Sequence, residues 1–262
     1  MRKESPSNIG RIFYGLAMAG LGVQTVYYHD FPYMIIPPNH FWIPCLAIIA
    51  YIFGAFFILA GACIAIERRT GPIAFLLASV LLMIFCFYFM PYEFMDTTKS
   101  LQLGEWDNAE KELALSSGAF IIAGSVSKQN NFRSSFLRKL IPFGVILFAL
   151  IITTFGIDHF LYANDVADYI PKWIPNRLVW AYFAGAGLLG SGVAIILKVK
   201  PQLSATLLGT MIFIWVIILH IPKAIASPFA NMGSEVTSGL IALAYSGIAF
   251  VIAGVERNNG IA

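Results

Sequence analysis

Runs of about 20 apolar residues recur along this chain, and each is long enough to cross the roughly 30 Å hydrocarbon core of a bilayer as a helix. Hydrophobic residues make up 58% of the chain and charged residues 12%, whereas soluble domains have roughly 25% charged residues. The period-two alternation that is typical of strands is absent. Because lipid offers no hydrogen bonds to the backbone, long apolar runs indicate helices. The sequence therefore predicts an all-α polytopic membrane protein.

Eight transmembrane helices are predicted from the apolar runs and their Pro and Gly punctuation. The predicted spans are Ile9–Tyr28, Phe41–Ile66, Pro72–Met90, Asn108–Val126, Leu140–Tyr162, Asn176–Leu197, Gln202–Ile221 and Ser234–Val255. The fourth span begins with Glu110, Lys111 and Glu112, so we expect an amphipathic start with these charges at the membrane interface.

An internal repeat is indicated by two similar segments. Gly61–Pro72 aligns without a gap on Gly190–Pro201, and each has Gly, Ala-Ile, a basic cluster and Pro in that order. Four spans per half is an even number, so the halves have the same orientation, as in parallel repeats. The predicted fold is two parallel-repeat four-helix bundles, residues 1–127 and 140–262, joined by a cytoplasmic linker at 128–139.

The basic residues predict the orientation in the membrane. Twelve of the 17 Lys and Arg residues fall on the side that holds both termini. The positive-inside rule assigns that side to the cytoplasm. We expect a multi-pass protein of the cytoplasmic (inner) membrane with both termini in the cytoplasm.

The three cysteines are Cys45, Cys63 and Cys86, and each lies in or beside an apolar run. Their odd number and lack of a CxxC spacing argue against a disulfide framework. Cys45 and Cys86 fall toward the same membrane face, so a pair between them stays open.

The polar residues of the outer, non-cytoplasmic side are the candidates for a ligand or proton site. They are Asp158, His159, His220, Glu93 and His29. Asp158 and His159 stand out because an ionisable residue at membrane depth is costly and usually has a partner or faces water. A carboxylate beside an imidazole can hold a proton or bind a polar group such as a quinone carbonyl. The alternative is an interfacial pair that anchors the end of the span.

A metal site and nucleotide chemistry find no support in the sequence. The candidate residues have suitable chemistry, but no single helix carries a His-x-x-His or Glu-x-x-His spacing. No Walker loop, Rossmann glycine pattern, nucleophile elbow or haem motif is present. A net charge of +3 says little about partners, and no nucleic-acid partner is expected. The catalytic residues, if there are any, are not identified.

Two segments resemble the DoxX-like family of small four-span membrane proteins. In the second half the similar residues are Gly156-Ile157-Asp158-His159-Phe160, Tyr169-Ile170-Pro171 and Ile174-Pro175. In the first half they are Met34-Ile35-Ile36-Pro37-Pro38 and Ile43-Pro44. The chain departs from the family in being doubled. It also has Phe53-Gly54-Ala55 and Ala184-Gly185-Ala186 where an acidic residue is expected. The resemblance implies an association with membrane redox systems and quinone.

Three functions remain open at this point. The first is an integral membrane subunit of a larger, redox-associated complex, with other membrane or periplasmic subunits as partners. The second is a quinone-binding oxidoreductase subunit that acts at the outer leaflet. The third is a small-solute transporter, against which the scarcity of polar residues at mid-bilayer depth argues.

Overall fold

A computed structural model describes residues 6–37, 45–95, 106–126 and 132–259. Within these ranges the chain is helical and contains no strand. The helices of the first half are α1 (Pro6–Tyr28), α2 (Leu46–Ala65), α3 (Thr70–Ile84), α4 (Met90–Met95) and α5 (Asp107–Ser125). Those of the second half are α6 (Phe132–Leu161), α7 (Ala163–Tyr169), α8 (Arg177–Ile196), α9 (Pro201–Trp215), α10 (Ile221–Ala226) and α11 (Ser234–Asn259).

Seven helices of the described residues are long and apolar enough to cross a membrane. The protein is therefore a multi-pass, all-α membrane protein. The predicted fourth span corresponds to α5, which is not among the seven because charged residues in its first turns lower its mean hydropathy. Helix α5 lies inside the helix bundle, and every residue from Ala114 to Gly124 is buried. An interior helix needs no lipid-facing apolar surface, so hydropathy alone detects it poorly.

Helices α5 and α11 occupy the centre and contact each other. Helix α11 packs between α1 and α9, and α5 packs between α6 and α3. Helices α2 and α8 then pack on the outer sides of α1 and α6. Each central helix also donates a serine hydroxyl to a neighbour's backbone: Ser116 to the carbonyl of Ala78 and Ser246 to that of Gly209, each at 2.8 Å.

Small residues allow the outer helices to approach the inner ones closely. A Cβ added to Gly22 of α1 would lie 2.6 Å from the carbonyl oxygen of Gly54 on α2. A Cβ added to Gly156 of α6 would lie 2.5 Å from the backbone nitrogen of Leu189 on α8. Since neither helix pair can be separated without losing these contacts, the glycines fix the distance between the backbones.

The bounds of α2, α3 and α4 differ from those of α8, α9 and α10 by a constant offset of 131 residues. Helices α2 and α8 each have 20 residues, and α3 and α9 each have 15. Residues with left-handed backbone conformation precede each of these helices, at Cys45, Asn176, Arg69 and Lys200. The gapless sequence alignment implies an offset two residues smaller, so it pairs Gly61 with Gly190, whereas the helix bounds pair Gly61 with Gly192.

A π-helical turn interrupts the third and seventh apolar runs at matching places, Phe85–Phe89 and Val216–His220. Pro91 and Pro222 follow these turns, each as the second residue of the next helix. Proline has no N–H and clashes with the carbonyl four residues before it. The wider π-helical turn accommodates this defect, as π-bulges in helices do.

Two glycines of the same helix test this packing register. Gly192→Ala should lower the free energy of unfolding by about 1–3 kcal/mol, because its Cβ would lie 2.7 Å from the carbonyl oxygen of Ala149. Gly190→Ala should raise it by about 0.5–1 kcal/mol, because nothing lies within 4 Å of its Cβ and alanine favours a helix. Unfolding titrations in mixed micelles measure both, and the reverse order would contradict the register.

Candidate functional site

A cavity of about 710 Å³ lies between helices of the second half, mainly α6, α7, α9 and α11, and the beginning of α5, which belongs to the first half. A second lobe of about 410 Å³ shares His159, Tyr169, Leu188 and His220 with it. The aromatic residues of the larger lobe are Tyr33, Phe155, Tyr162, Tyr169 and Tyr245. Its ionisable residues besides the tyrosines are Asp107, Lys111, Asp158, His159, Asp165 and His220. The volume is in the range of small-molecule sites.

His159 presents a hydrogen-bond acceptor to the cavity. Its Nδ1 lies 2.7 Å from the carbonyl oxygen of Phe155, one turn earlier on α6. A carbonyl oxygen can only accept, so Nδ1 carries the proton, and Nε2 of the neutral ring keeps its lone pair. Gly185 of α8 is needed for this position, because a Cβ there would lie 2.7 Å from Cβ of His159.

Asp158 and His220 add two further polar atoms with unused hydrogen-bonding capacity. Oδ1 of Asp158 and Nδ1 of His220 are both buried, and neither has a hydrogen-bond partner among the described residues. His220 is the last residue of the second π-helical turn. Buried polar groups are normally paired, so two unpaired polar atoms on side chains that line the cavity mark this region as a candidate ligand site.

A polar network surrounds these acceptors. Lys111 and Asp107 form an ion pair one turn apart on α5. The hydroxyl of Tyr169 on α7 donates to Glu235 on α11 at 2.7 Å, and Lys223 pairs with the same carboxylate at 3.4 Å while it lies over the Tyr169 ring. Burial and the hydrogen bond to Glu235 raise the pKa of Tyr169, so its hydroxyl stays a donor. Burial, followed by the charge of Asp107, likewise raises the pKa of Tyr33.

The structure joins three of the five predicted site residues and separates two. Asp158, His159 and His220 line the same cavity. Glu93 is buried in α4, in the first half, and does not line it. His29 lies just past the end of α1, where its Nδ1 is 2.6 Å from the Tyr51 hydroxyl on α2.

The equivalent region of the first half is filled by side chains. At the offset of 131 residues, Phe57 corresponds to Leu188 and Phe89 corresponds to His220, and these two phenylalanines are 0% and 1% exposed. Phe31 and Ile35, both 0% exposed, belong to the same core. Leu188 and His220, which line the cavity, therefore lie where the first half has two packed phenylalanines.

Glu112 is an ionisable residue whose burial the sequence did not predict. We expected it at the membrane interface, but it is 0% exposed, and neither carboxylate oxygen has a hydrogen-bond partner among the described residues. Its neighbour Glu110 instead accepts a hydrogen bond from Thr154 of α6 at 2.7 Å. The signal that could have indicated burial is the run of small residues that follows, Ala114, Ser116, Ser117, Gly118 and Ala119.

The described residues contain no group of three or more His, Cys, Asp or Glu side chains placed to hold a metal ion. The three cysteines are free, and Cys45 and Cys86 are exposed.

Comparison with protein-family models, with curated proteins and with solved structures finds no match to this chain.

The packed first half suggests how to close the cavity without unfolding the protein. Leu188→Phe places the side chain of Phe57 at the corresponding position, and we expect it to fill the cavity. Ser238 lines the cavity, so a thiol introduced there by Ser238→Cys reports on access to it. In the Leu188→Phe variant this thiol should react with a small maleimide at least about tenfold more slowly. The native cysteines are replaced beforehand, and Leu197→Phe, at an exposed position of the protein, is the control. Equal labelling rates in both variants would contradict this interpretation of the cavity.

Proposed function

We propose that this chain is an integral membrane subunit of a redox-associated complex and that it binds a quinone in the cavity of its second half. One observation carries the proposal: three hydrogen-bonding side chains, Asp158, His159 and His220, line one cavity with five aromatic rings, and Asp158 and His220 each have a polar atom without a hydrogen-bond partner among the described residues.

The chemistry of the cavity suits a quinone ring in both oxidation states. The hydroxyl groups of a quinol can donate to Asp158 and to Nε2 of His159, while the ammonium group of Lys111 can donate to a quinone carbonyl. The aromatic rings offer faces on which a flat headgroup can stack. Exposed apolar residues of α8 and α9, such as Phe183 and Leu207, would face lipid, the surroundings that an isoprenoid tail requires.

Kinship with the DoxX-like family is part of this proposal. Gly156, in the segment that resembles the family, lies at the close contact between α6 and α8, and His159 of the same segment lines the cavity. Of the first-half segment, Pro38, Ile43 and Pro44 lie outside the described residues. The redox association and the membrane or periplasmic partner subunits are implied by this kinship and are proposed together with it.

The proposed arrangement in the membrane has eight crossings in two parallel repeats, with both termini in the cytoplasm. Helix α5 has 19 residues, which corresponds to about 28 Å at 1.5 Å per residue, and this length supports a crossing. The constant offset between the helix bounds and the matched π-helical turns support a repeat. Helix α6 begins at Phe132, inside the predicted linker 128–139, of which residues 128–131 lie outside the described residues.

Binding of a soluble quinone analogue tests the ligand. Decylubiquinone titrated into the protein in lipid nanodiscs should bind, and the double variant Asp158→Asn, His159→Ala should bind it at least about tenfold more weakly, since two hydrogen bonds are lost. The matched control is His29→Ala, because His29 also lies at the end of a helix but not in the cavity. Unchanged binding in the double variant would exclude this site.

The number of crossings decides whether the termini share a side. Fluorescent protein, which does not fold when exported through the general secretory route, should fluoresce when fused to either end of this sequence in bacterial cells. An even number of crossings places both termini on the same side of the membrane, so if one terminus is cytoplasmic the other must be as well. Fluorescence from one fusion and not from the other would indicate an odd number of crossings, such as seven, and would contradict the parallel arrangement.

A further inference from the structure

We propose that the smaller lobe of the cavity binds the first part of the ligand's apolar tail, and that Ala184 of α8 leaves the room for it. The site then recognises a polar headgroup together with one attached chain. The inference rests on the proposed function and deepens it, because it makes the tail of the quinone part of what the protein selects.

The two lobes differ in the chemistry of the residues that line them. The residues that line the smaller lobe and not the larger one are all apolar: Ile170, Ala184, Met211, Trp215 and Leu219. Asp107, Lys111 and Asp158 line only the larger lobe. A ligand that fills both lobes therefore has one polar end and one apolar end.

The lobes meet at the hydrogen-bonding side chains of the site. His159, Tyr169 and His220 line both of them. A headgroup that binds to these side chains lies at the junction, where a substituent of its ring can enter the smaller lobe. That lobe has a volume of about 410 Å³, whereas packing defects in close-packed interiors are rarely larger than a water molecule.

The smaller lobe lies between two apolar clusters of the protein. Leu188 and Ile212, which line it, belong to the main core. Ile170, just after α7, lines it as well but belongs to a second, smaller cluster. The lobe thus has apolar residues of both clusters around it, which are suitable surroundings for a hydrocarbon chain.

Trp215 connects the smaller lobe with the outer surface. It lines the lobe, and its ring lies edge to face with that of Trp180 on α8, with 6.3 Å between the ring centroids. Trp180 is exposed. A tail that is longer than the lobe therefore leaves toward lipid beside these two rings, between α8 and α9.

The first half has a larger side chain at the position that corresponds to Ala184. This residue is Phe53, at the offset of 131 residues. Its ring lies edge to face with those of Phe57 and Phe31, at centroid distances of 6.2 and 5.7 Å. The framework of helices therefore accommodates phenylalanine at this position, and alanine in the second half keeps the space open.

In a membrane the smaller lobe acts through its space rather than through hydrophobic burial. A chain that moves from lipid into the lobe gains little free energy, because both surroundings are apolar. When the lobe is filled, the chain has no place beside the headgroup, so the ring must shift and lose a hydrogen bond. The loss of one hydrogen bond corresponds to about tenfold in affinity.

Two quinones with the same ring test the assignment of the tail. They are decylubiquinone and dimethoxymethylbenzoquinone, which has no decyl chain. We expect Ala184→Phe to weaken the binding of decylubiquinone in nanodiscs at least about tenfold and that of the tailless quinone less than about twofold. Ala186→Phe, at an exposed position of the same helix, is the matched control and should change neither.

Each variant is compared with the wild-type protein for the same quinone, so the partitioning of decylubiquinone into lipid cancels. If Ala184→Phe fails to fold, Ala184→Leu fills part of the lobe with a smaller side chain and should weaken decylubiquinone selectively.

The outcomes separate this inference from the proposed function. If the wild-type protein binds neither quinone, the proposed function is wrong and the inference fails with it. If it binds them and Ala184→Phe weakens both equally, the quinone site stands and the tail does not occupy the smaller lobe. If Ala184→Phe weakens neither, the tail is again excluded from this lobe, as is expected when an acyl chain of a membrane lipid fills it.

Discussion

The close approach of helix backbones at small residues holds this fold together. Between helices in lipid there is little hydrophobic driving force, because the surrounding chains are as apolar as the side chains. Dispersion contacts must supply the attraction, and they require atoms at van der Waals distance. Gly22 against Gly54 and Gly156 against Leu189 satisfy this requirement at matching places in the two halves. The site depends on the close contact between α6 and α8. Helix α8 can pack over His159 only because Gly185 has no side chain.

The sequence predicted the helices well because their apolar runs are a direct consequence of the lipid solvent. It predicted the repeat register less well. The resemblance between Gly61–Pro72 and Gly190–Pro201 depends on the positions of Gly and Pro, and proline can start a helix at more than one position of the first turn. The packing of α8 depends on which of its glycines faces the neighbouring helix. Gly192 faces α6 and Gly190 faces nothing within 4 Å, and no sequence pattern distinguishes the two.

Some residues of the candidate site could be predicted from the sequence and others could not, for a similar reason. Asp158 and His159 stand out in an apolar run, and the structure gives both a place in the cavity. That His220 joins them while Glu93 and His29 do not depends on which span ends converge, and this is a property of the tertiary arrangement. The burial of Glu112 has the same origin: the sequence shows a charged first turn, and only packing decides which of its charges face the interior.

The asymmetry between the halves argues that the cavity is retained for function. The first half demonstrates that this framework can be packed with Phe57 and Phe89, which are almost fully buried. The second half leaves Asp158 and His220 with unsatisfied polar atoms, each at a cost of about 1–3 kcal/mol to the folded state. Phenylalanine at the position of His220, as at Phe89, would remove the cost of the His220 atom. The polar side chains of the cavity therefore depart from the packing that the first half shows is compatible with these helices, as functional sites often depart from the most stable packing.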